Sequence, residues 1–317
     1  MNGILIIDKP AGITSHDVVA RCRKILKTKR IGHTGTLDPF ATGVMVILIG
    51  KATRLAQFLD KDAKEYEAIV RFGFETDTGD FTGSPKSKVQ SPKSITIDEL
   101  ENVLADFRGE IEQTPPMYSA KKIDGKKLYE LARKGIEIER KSQKVTIYEL
   151  EVTESGQRSA ISSQLKIKES QTDEVRLETL DFGLRILCSA GTYIRTLAED
   201  IGKKLGVGAH LAELRRTRAG NFDLSKAVTL EELEKIISEE RLDEFLISMN
   251  EAVSHLPKVT LSEAEVKQTQ NGIKFRFENE EIKDNQAVRM IDEKENLIAI
   301  GFYDKWEKRV QPRVVLV

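Results

Sequence analysis

Between residues 32 and 43 the chain reads Gly32-His33-Thr34-Gly35-Thr36-Leu37-Asp38-Pro39-Phe40-Ala41-Thr42-Gly43, a loop dense in glycine and threonine with one carboxylate in it. Glycines permit unusual backbone angles and close approach to a ligand. A phosphate cradle fails on detail. Neither GxxxxGK[ST] nor a GxGxxG opening a helix occurs, and a carboxylate inside a phosphate nest would repel its ligand. The other chemistry open to the loop is Asp38 as nucleophile or general base, with Pro39 holding it extended and so fixing its direction. An Asp-Pro pair in a loop also serves plain turn formation.

A second candidate is Ser189-Ala190-Gly191-Thr192-Tyr193-Ile194-Arg195, where a strand gives way to a helix. Arg195 at that junction is either a surface cation or a bidentate partner that keeps a carboxylate ionised. A third is Leu211-Ala212-Glu213-Leu214-Arg215-Arg216-Thr217-Arg218, a basic stretch suited to phosphates or simply to solvent. His33, among glycines, suits ligand contact. Four scattered histidines and two cysteines, Cys22 and Cys188, give no metal spacing. No HExxH, CxxC or GxSxG is present. The chemistry is expected to run without metal, thiol or serine nucleophile.

These residues need elements to place them. The 317 residues are 39% hydrophobic and 32% charged, a globular balance that excludes a disordered chain. No run of 18 apolar residues exists, so no membrane span is expected. Absence of a leader pattern and the cysteine usage fit a reducing cytoplasm. Residues 2–8 read as a buried strand, and a helix capped by Thr14 or Ser15 runs to about Leu26. Residues 44–49 are a second buried strand, and 51–60 a short helix. Strands follow at 65–72, 144–153, 160–168 and 174–188, with a polar turn at 169–173. Helices are expected at 97–107, 128–134, 198–205 and 243–254. After Pro257 the texture changes to a helix at 262–271 and strands near 273–277, 286–292, 297–303 and 311–317. The expected fold is α+β: a mixed, mainly antiparallel sheet in residues 1–255, with a small β-barrel in 256–317.

The net charge of −1 conceals polarity. Residues 1–60 and 118–144 each carry a net +5, and residues 224–251 a net −5. Such blocks either assemble one positive face for a polyanion or are solvated faces of no consequence.

Five motifs then occur in a familiar order: Lys9-Pro10-Ala11-Gly12-Ile13-Thr14-Ser15, the 32–43 loop, Lys64-Glu65-Tyr66, Gly191 to Leu197, and Gly208-Ala209-His210-Leu211 through Arg215-Arg216-Thr217. Together they resemble the TruB family of tRNA pseudouridine synthases over about residues 2–255, with a tail resembling that family's PUA-like barrel. The resemblance implies conversion of the T-loop uridine at position 55 of tRNA to pseudouridine, with no cofactor. It implies Asp38 as the catalytic aspartate and Tyr66 as the tyrosine that stacks on the base and has been suggested as proton acceptor. It implies Arg195 as the arginine paired with the carboxylate, and Leu214 as an apolar pocket residue. Lys9, His33 and Tyr193 are implied near the RNA and the base of the site. The segment 118–144, with Tyr118, Lys121, Lys122, Lys126, Lys127 and Tyr129, then reads as RNA-embracing. The polar stretch 154–180 departs from the family pattern, and the barrel matches it only loosely. A monomer with tRNA as partner and no obligatory protein partner is expected. The alternatives are an RNA-folding factor and a guide-dependent catalytic subunit of the box H/ACA kind.

Overall fold

The computed structural model describes residues 1–86, 95–119, 121–123, 125–153, 163–168 and 174–316. The turn expected at 169–173, and residues 154–162 of the polar stretch, lie outside these. The elements of the first part are β1 (Gly3–Lys9), α1 (Ser15–Ile25), β2 (Ile31–Thr34), β3 (Thr42–Ile49), α2 (Ala56–Leu59), β4 (Lys64–Phe72), α3 (Ile97–Ala105) and β5 (Gly109–Gln113). Then come β6 (Lys122–Ile123), β7 (Lys126–Lys127), α4 (Leu128–Ala132), β8 (Gln143–Val152), β9 (Ser163–Lys168), β10 (Glu174–Cys188), α5 (Ile194–Leu205) and β11 (Ala209–Ala219). After these run β12 (Phe222–Asp223), β13 (Ala227–Val228), α6 (Leu230–Ser238) and α7 (Met249–Ala252). The last are β14 (Lys258–Thr260), α8 (Glu263–Gln270), β15 (Phe275–Arg276), β16 (Ala287–Ile291), β17 (Leu297–Asp304) and β18 (Arg309–Val315).

An 11-stranded sheet runs in the order β13-β1-β3-β11-β4-β10-β8-β5, with β2, β9 and β12 paired to its side. The β3–β11 and β1–β13 pairings are parallel and the other pairings are antiparallel. This is the expected mixed α+β architecture. Side chains alternate between the two faces along each strand. In β4, Tyr66, Ala68, Val70 and Phe72 pack with Leu197, Ala198 and Ile201 of α5. In β1 and β3, Leu5, Ile7, Met45 and Ile47 pack against Val18, Val19 and Cys22 of α1 and Leu233 and Ile236 of α6.

The second sheet runs β14-β16-β17-β18-β15 and fits the expected PUA-like tail. Its Ile291, Leu297, Ile300 and Val314 share one buried cluster with Ile4, Ile6, Val44, Val46 and Leu48 of the large sheet. Beside that cluster Arg289 donates to Asn250 Oδ1 at 2.6 Å, and Asn250 donates to the Glu295 carbonyl at 3.0 Å.

Some expectations are corrected. Residues 243–254 are not one helix. A 3-10 turn at Leu242–Glu244 and the four-residue α7 are separated because Ile247 exchanges two 2.9 Å backbone bonds with Ile4. That pairing takes the backbone groups a continuous helix would need. Helix α6 escaped notice, although Thr229 and Glu232 form a capping box at its start. Ile31–Thr34 is strand, not loop, because it pairs with β3. Helix α5 begins four residues earlier than expected, at Ile194.

Gly43 sets the close approach of β3 to β11. Its φ is +101°, and a Cβ there would lie 2.1 Å from the Arg216 carbonyl oxygen. Gly43→Ala should therefore cost roughly 2–4 kcal/mol of stability, read as a lowered urea midpoint with an unchanged denaturant slope.

Candidate active site

Asp38 lies in the connection between β2 and β3, and that connection is held at many points. Ser15 Oγ donates to the Leu37 carbonyl at 3.1 Å and accepts from the Leu37 amide at 2.9 Å. Gly12 N–H donates to the Pro39 carbonyl at 2.8 Å. Lys9 is fully buried, and its ammonium donates to the carbonyls of Pro10, Pro39 and Ala41 at 3.0, 3.1 and 2.6 Å. An ammonium has three donors, and all three are used. Burial pulls the Lys9 pKa down to about 8. Lys9 is thus a support beneath the loop at the base of the site.

Arg195, the second residue of α5, meets Asp38 through two contacts. Its Nε lies 2.9 Å from Oδ2 and its Nη2 donates to Oδ1 at 3.1 Å. Nη1 donates to the Thr78 carbonyl at 2.8 Å and Nη2 also to the Tyr118 carbonyl at 2.6 Å. Asp80 stands 3.8 Å from Nη1 on the far side. The helix start is fixed by Gln113, whose side chain accepts from the Tyr193 amide at 3.0 Å and donates to the Tyr193 carbonyl at 3.3 Å. The Arg195 side chain is 6% exposed and that of Asp38 33%. The carboxylate therefore faces the cleft while the guanidinium is sealed behind it. Burial pushes the Asp38 carboxyl above the usual aspartate range; Arg195 opposes this and Asp80 adds to it.

The cleft above the carboxylate has a volume of about 290 Å³, and Tyr66, Tyr193 and Leu214 join Asp38 and Arg195 in its lining. Tyr66 and Leu214 are buried, 8% and 7% exposed. Burial raises the phenol pKa of both Tyr66 and Tyr193. A larger cavity of about 690 Å³, lined by Phe40, Phe81, Glu67, Arg71 and Arg215, contains neither Asp38 nor Arg195. Size does not identify the reactive cleft here; the charged pair does. His33 is not in the cleft lining. It borders a neighbouring cavity of about 310 Å³ with Gly35, Thr36 and Asp60, its ring edge-on to His16 at 5.8 Å. Among the described residues no three His, Cys, Asp or Glu side chains converge as a metal site.

The basic stretch 211–218 lies in β11, and two of its half-exposed arginines are ion-paired within the chain. Arg215 donates to both Asp8 carboxylate oxygens at 3.1 and 2.7 Å, and Arg218 lies 3.3 Å from Glu65. Arg216 points to the other face, is 1% exposed, and lines the cleft. Arg216 and Asp80 are site residues that sequence reading missed. The alternation of β11 was the available signal for Arg216. For Asp80 the available hint was the Thr76-Asp77-Thr78-Gly79-Asp80 loop. From 118–144, Tyr118 reaches the site through its carbonyl, and Lys121 lines the cleft and donates to Gln143 at 2.7 Å.

Residues 23–194 match the description TruB family pseudouridylate synthase, N-terminal domain, and residues 195–254 match tRNA pseudouridylate synthase B C-terminal domain. The chain is similar to the tRNA pseudouridine synthase B of Geobacillus thermodenitrificans, 44% identical over 87% of this chain and 86% of that protein. It is 40% identical to the Bacillus cytotoxicus protein of the same name over 100% of this chain and 98% of that one. Among solved structures, a Cbf5-Nop10-Gar1 complex contains a chain that superposes with a TM-score of 0.71 at 29% identity, covering 99% of this chain and 85% of that one. An H/ACA RNP bound to a substrate RNA containing 2'-deoxyuridine gives 0.69 at 28% identity, with the same coverage of 99% and 85%.

With desolvation outweighing the ion pair, the Asp38 carboxyl carbon should titrate with a midpoint above 3.8, the ordinary aspartate value. Between the two values the folded protein keeps a proton that the unfolded chain has released. Stability from this group then declines as pH rises through that window. Carbon-13 NMR, assigned with Asp38→Asn, measures it; a midpoint below 3.8 would mean that Arg195 dominates.

Proposed function

The chain belongs to the TruB family of pseudouridylate synthases, and from that premise we propose that it isomerises the T-loop uridine at position 55 of tRNA to pseudouridine, without a guide RNA. The observation that carries this reading is the Asp38 carboxylate, gripped at two points by a sealed Arg195 on the floor of a cleft walled by Tyr66 and Leu214. Relatives named tRNA pseudouridine synthase B share 40–44% identity with the chain, against 28–29% for the H/ACA proteins, which supports the stand-alone reading.

A uridine folded into a T loop is out of reach of a recessed carboxylate, so it must be flipped out. Its uracil stacks on Tyr66 beside Leu214, in a volume of about 290 Å³. Asp38 drives cleavage of the bond between ribose C1' and uracil N1. The base turns and a bond forms between C1' and C5. The C5 proton leaves to solvent, N1 acquires one, and the product is an isomer of the substrate. A raised carboxyl pKa makes the Asp38 carboxylate a stronger nucleophile or base than an ordinary aspartate, while Arg195 favours its ionised form. Tyr193 borders the base, and His33 contacts the RNA from the adjoining cavity. Residues 256–317 form the RNA-binding tail and 1–255 the catalytic part. The protein works as a monomer in the cytoplasm, with tRNA as its partner.

Purified protein is given an unmodified tRNA transcript tritiated at uridine C5, with EDTA present. Tritium release mapping to one T-loop uridine is the expected result; none, despite tight binding, would favour the guide-dependent or binding-only readings. Asp38→Asn should retain tRNA affinity and lose more than about 1,000-fold in rate; release at the wild-type rate would remove Asp38 from its role.

A further inference from the structure

Lys64 opens β4, two residues before Tyr66, so the two side chains share one face of the strand. Lys64 is 6% exposed and lines the cleft. Its ammonium donates to the Asp60 and Asp62 carbonyls at 2.5 and 2.6 Å, short as a charged donor makes such bonds. It takes the carbonyls of these aspartates and not their carboxylates. The Asp60 carboxylate accepts from the Gly35 amide at 3.1 Å instead. Arg216, which also lines the cleft, follows the same pattern, donating to the Val44 and Gly35 carbonyls at 2.8 and 2.9 Å. Both cations come up to one glycine. A Cβ on Gly35, whose φ is +64°, would lie 3.1 Å from Arg216 Nη1 and 3.7 Å from Lys64 Cε. Among the described residues neither cation is paired with a carboxylate, whereas Arg195 is.

Two desolvated positive charges at one end of the cleft are costly unless something negative comes to them. The proposed reaction makes such a charge. As the bond between C1' and N1 breaks, its electron pair stays with the uracil and spreads onto O2 and O4. An ammonium has three donors; two of those on Lys64 go to carbonyls and one is left. We infer that Lys64 is a further catalytic residue, whose ammonium donates to a carbonyl oxygen of the departing uracil and, with Arg216 beside it, stabilises the negative charge that the base takes on. The pair of electrons then forms the bond between C5 and C1', the C5 proton leaves to solvent and N1 takes one up. This rests on the reading of the cleft as a uridine site. It deepens that reading by giving the leaving base its own electrostatic support, separate from the Asp38–Arg195 pair that acts on the ribose.

The test is the leaving group. Lys64→Gln keeps an amide N–H for one of the two carbonyls and removes the charge. Wild type and variant are compared in single turnover on tRNA carrying uridine or 5-fluorouridine at the target position, read as loss of that nucleoside by chromatography. Fluorine withdraws electrons and stabilises the departing anion without help from the protein. Lys64→Gln should slow loss of uridine about 100-fold with tRNA affinity unchanged, and loss of 5-fluorouridine about tenfold less than that. An equal penalty on both substrates would mean that Lys64 only holds the 60–62 turn, and would overturn the proposal. A second measurement needs no folded variant. 5-Nitrouracil is an anion at neutral pH and uracil is neutral; in equilibrium dialysis the wild-type protein should bind the anion about tenfold more tightly. Equal binding of the two would also overturn the proposal. If the wild-type protein converts no uridine, the functional reading fails, and the dialysis still tests the charge of the cleft.

Discussion

Two opposite charges meet at the floor of a cleft where water can fully solvate neither. The Asp38–Arg195 pair is the constraint around which the site is arranged, because a buried guanidinium left short of acceptors is heavily destabilising. Arg195 draws them from three other parts of the chain: the Asp38 loop, the Thr78–Asp80 turn and the Tyr118 carbonyl. Each of those segments is held in place partly by the charge it satisfies. Movement of the 118–134 segment would thus be felt at the carboxylate, through one 2.6 Å bond.

Beneath the pair lie Lys9 and Arg216, two further cations that bind backbone carbonyls instead of carboxylates. A carbonyl acceptor fixes geometry without cancelling charge, so both cations continue to act electrostatically on the site. Lys9 opposes the rise in the Asp38 pKa, and Arg216 that of Tyr66. The loop is held by groups that also bias the protonation of what it carries.

The frame was legible where the pattern is local. The alternation of β4, the apolar run of β3 and the cap at Thr14 each depend on residues within a turn or a strand of one another. Asp38, Tyr66 and Leu214 were expected in the site, and all three line the cleft. What escaped depends on partners far along the chain. Arg215 is neutralised by Asp8, 207 residues away, and Arg218 by Glu65, 153 residues away, so their apparent surface charge could not be discounted from sequence. Lys9 offered no sign that three carbonyls would surround it. The helical texture of 243–254 is overridden by Ile247 pairing with Ile4, a contact that spacing alone does not encode.

The cluster joining Ile4, Val46 and Leu48 to Ile291, Ile300 and Val314 has a geometric consequence. Beads on a string sample many separations; two sheets that share one dry interior sample one. The tail is then a caliper arm and not a tether. Its far surface sits at a set span and angle from Asp38, so under the proposed function a long rigid ligand held there would be measured by its shape before any base is tested. A softer joint would bind more kinds of molecule and register fewer of them correctly.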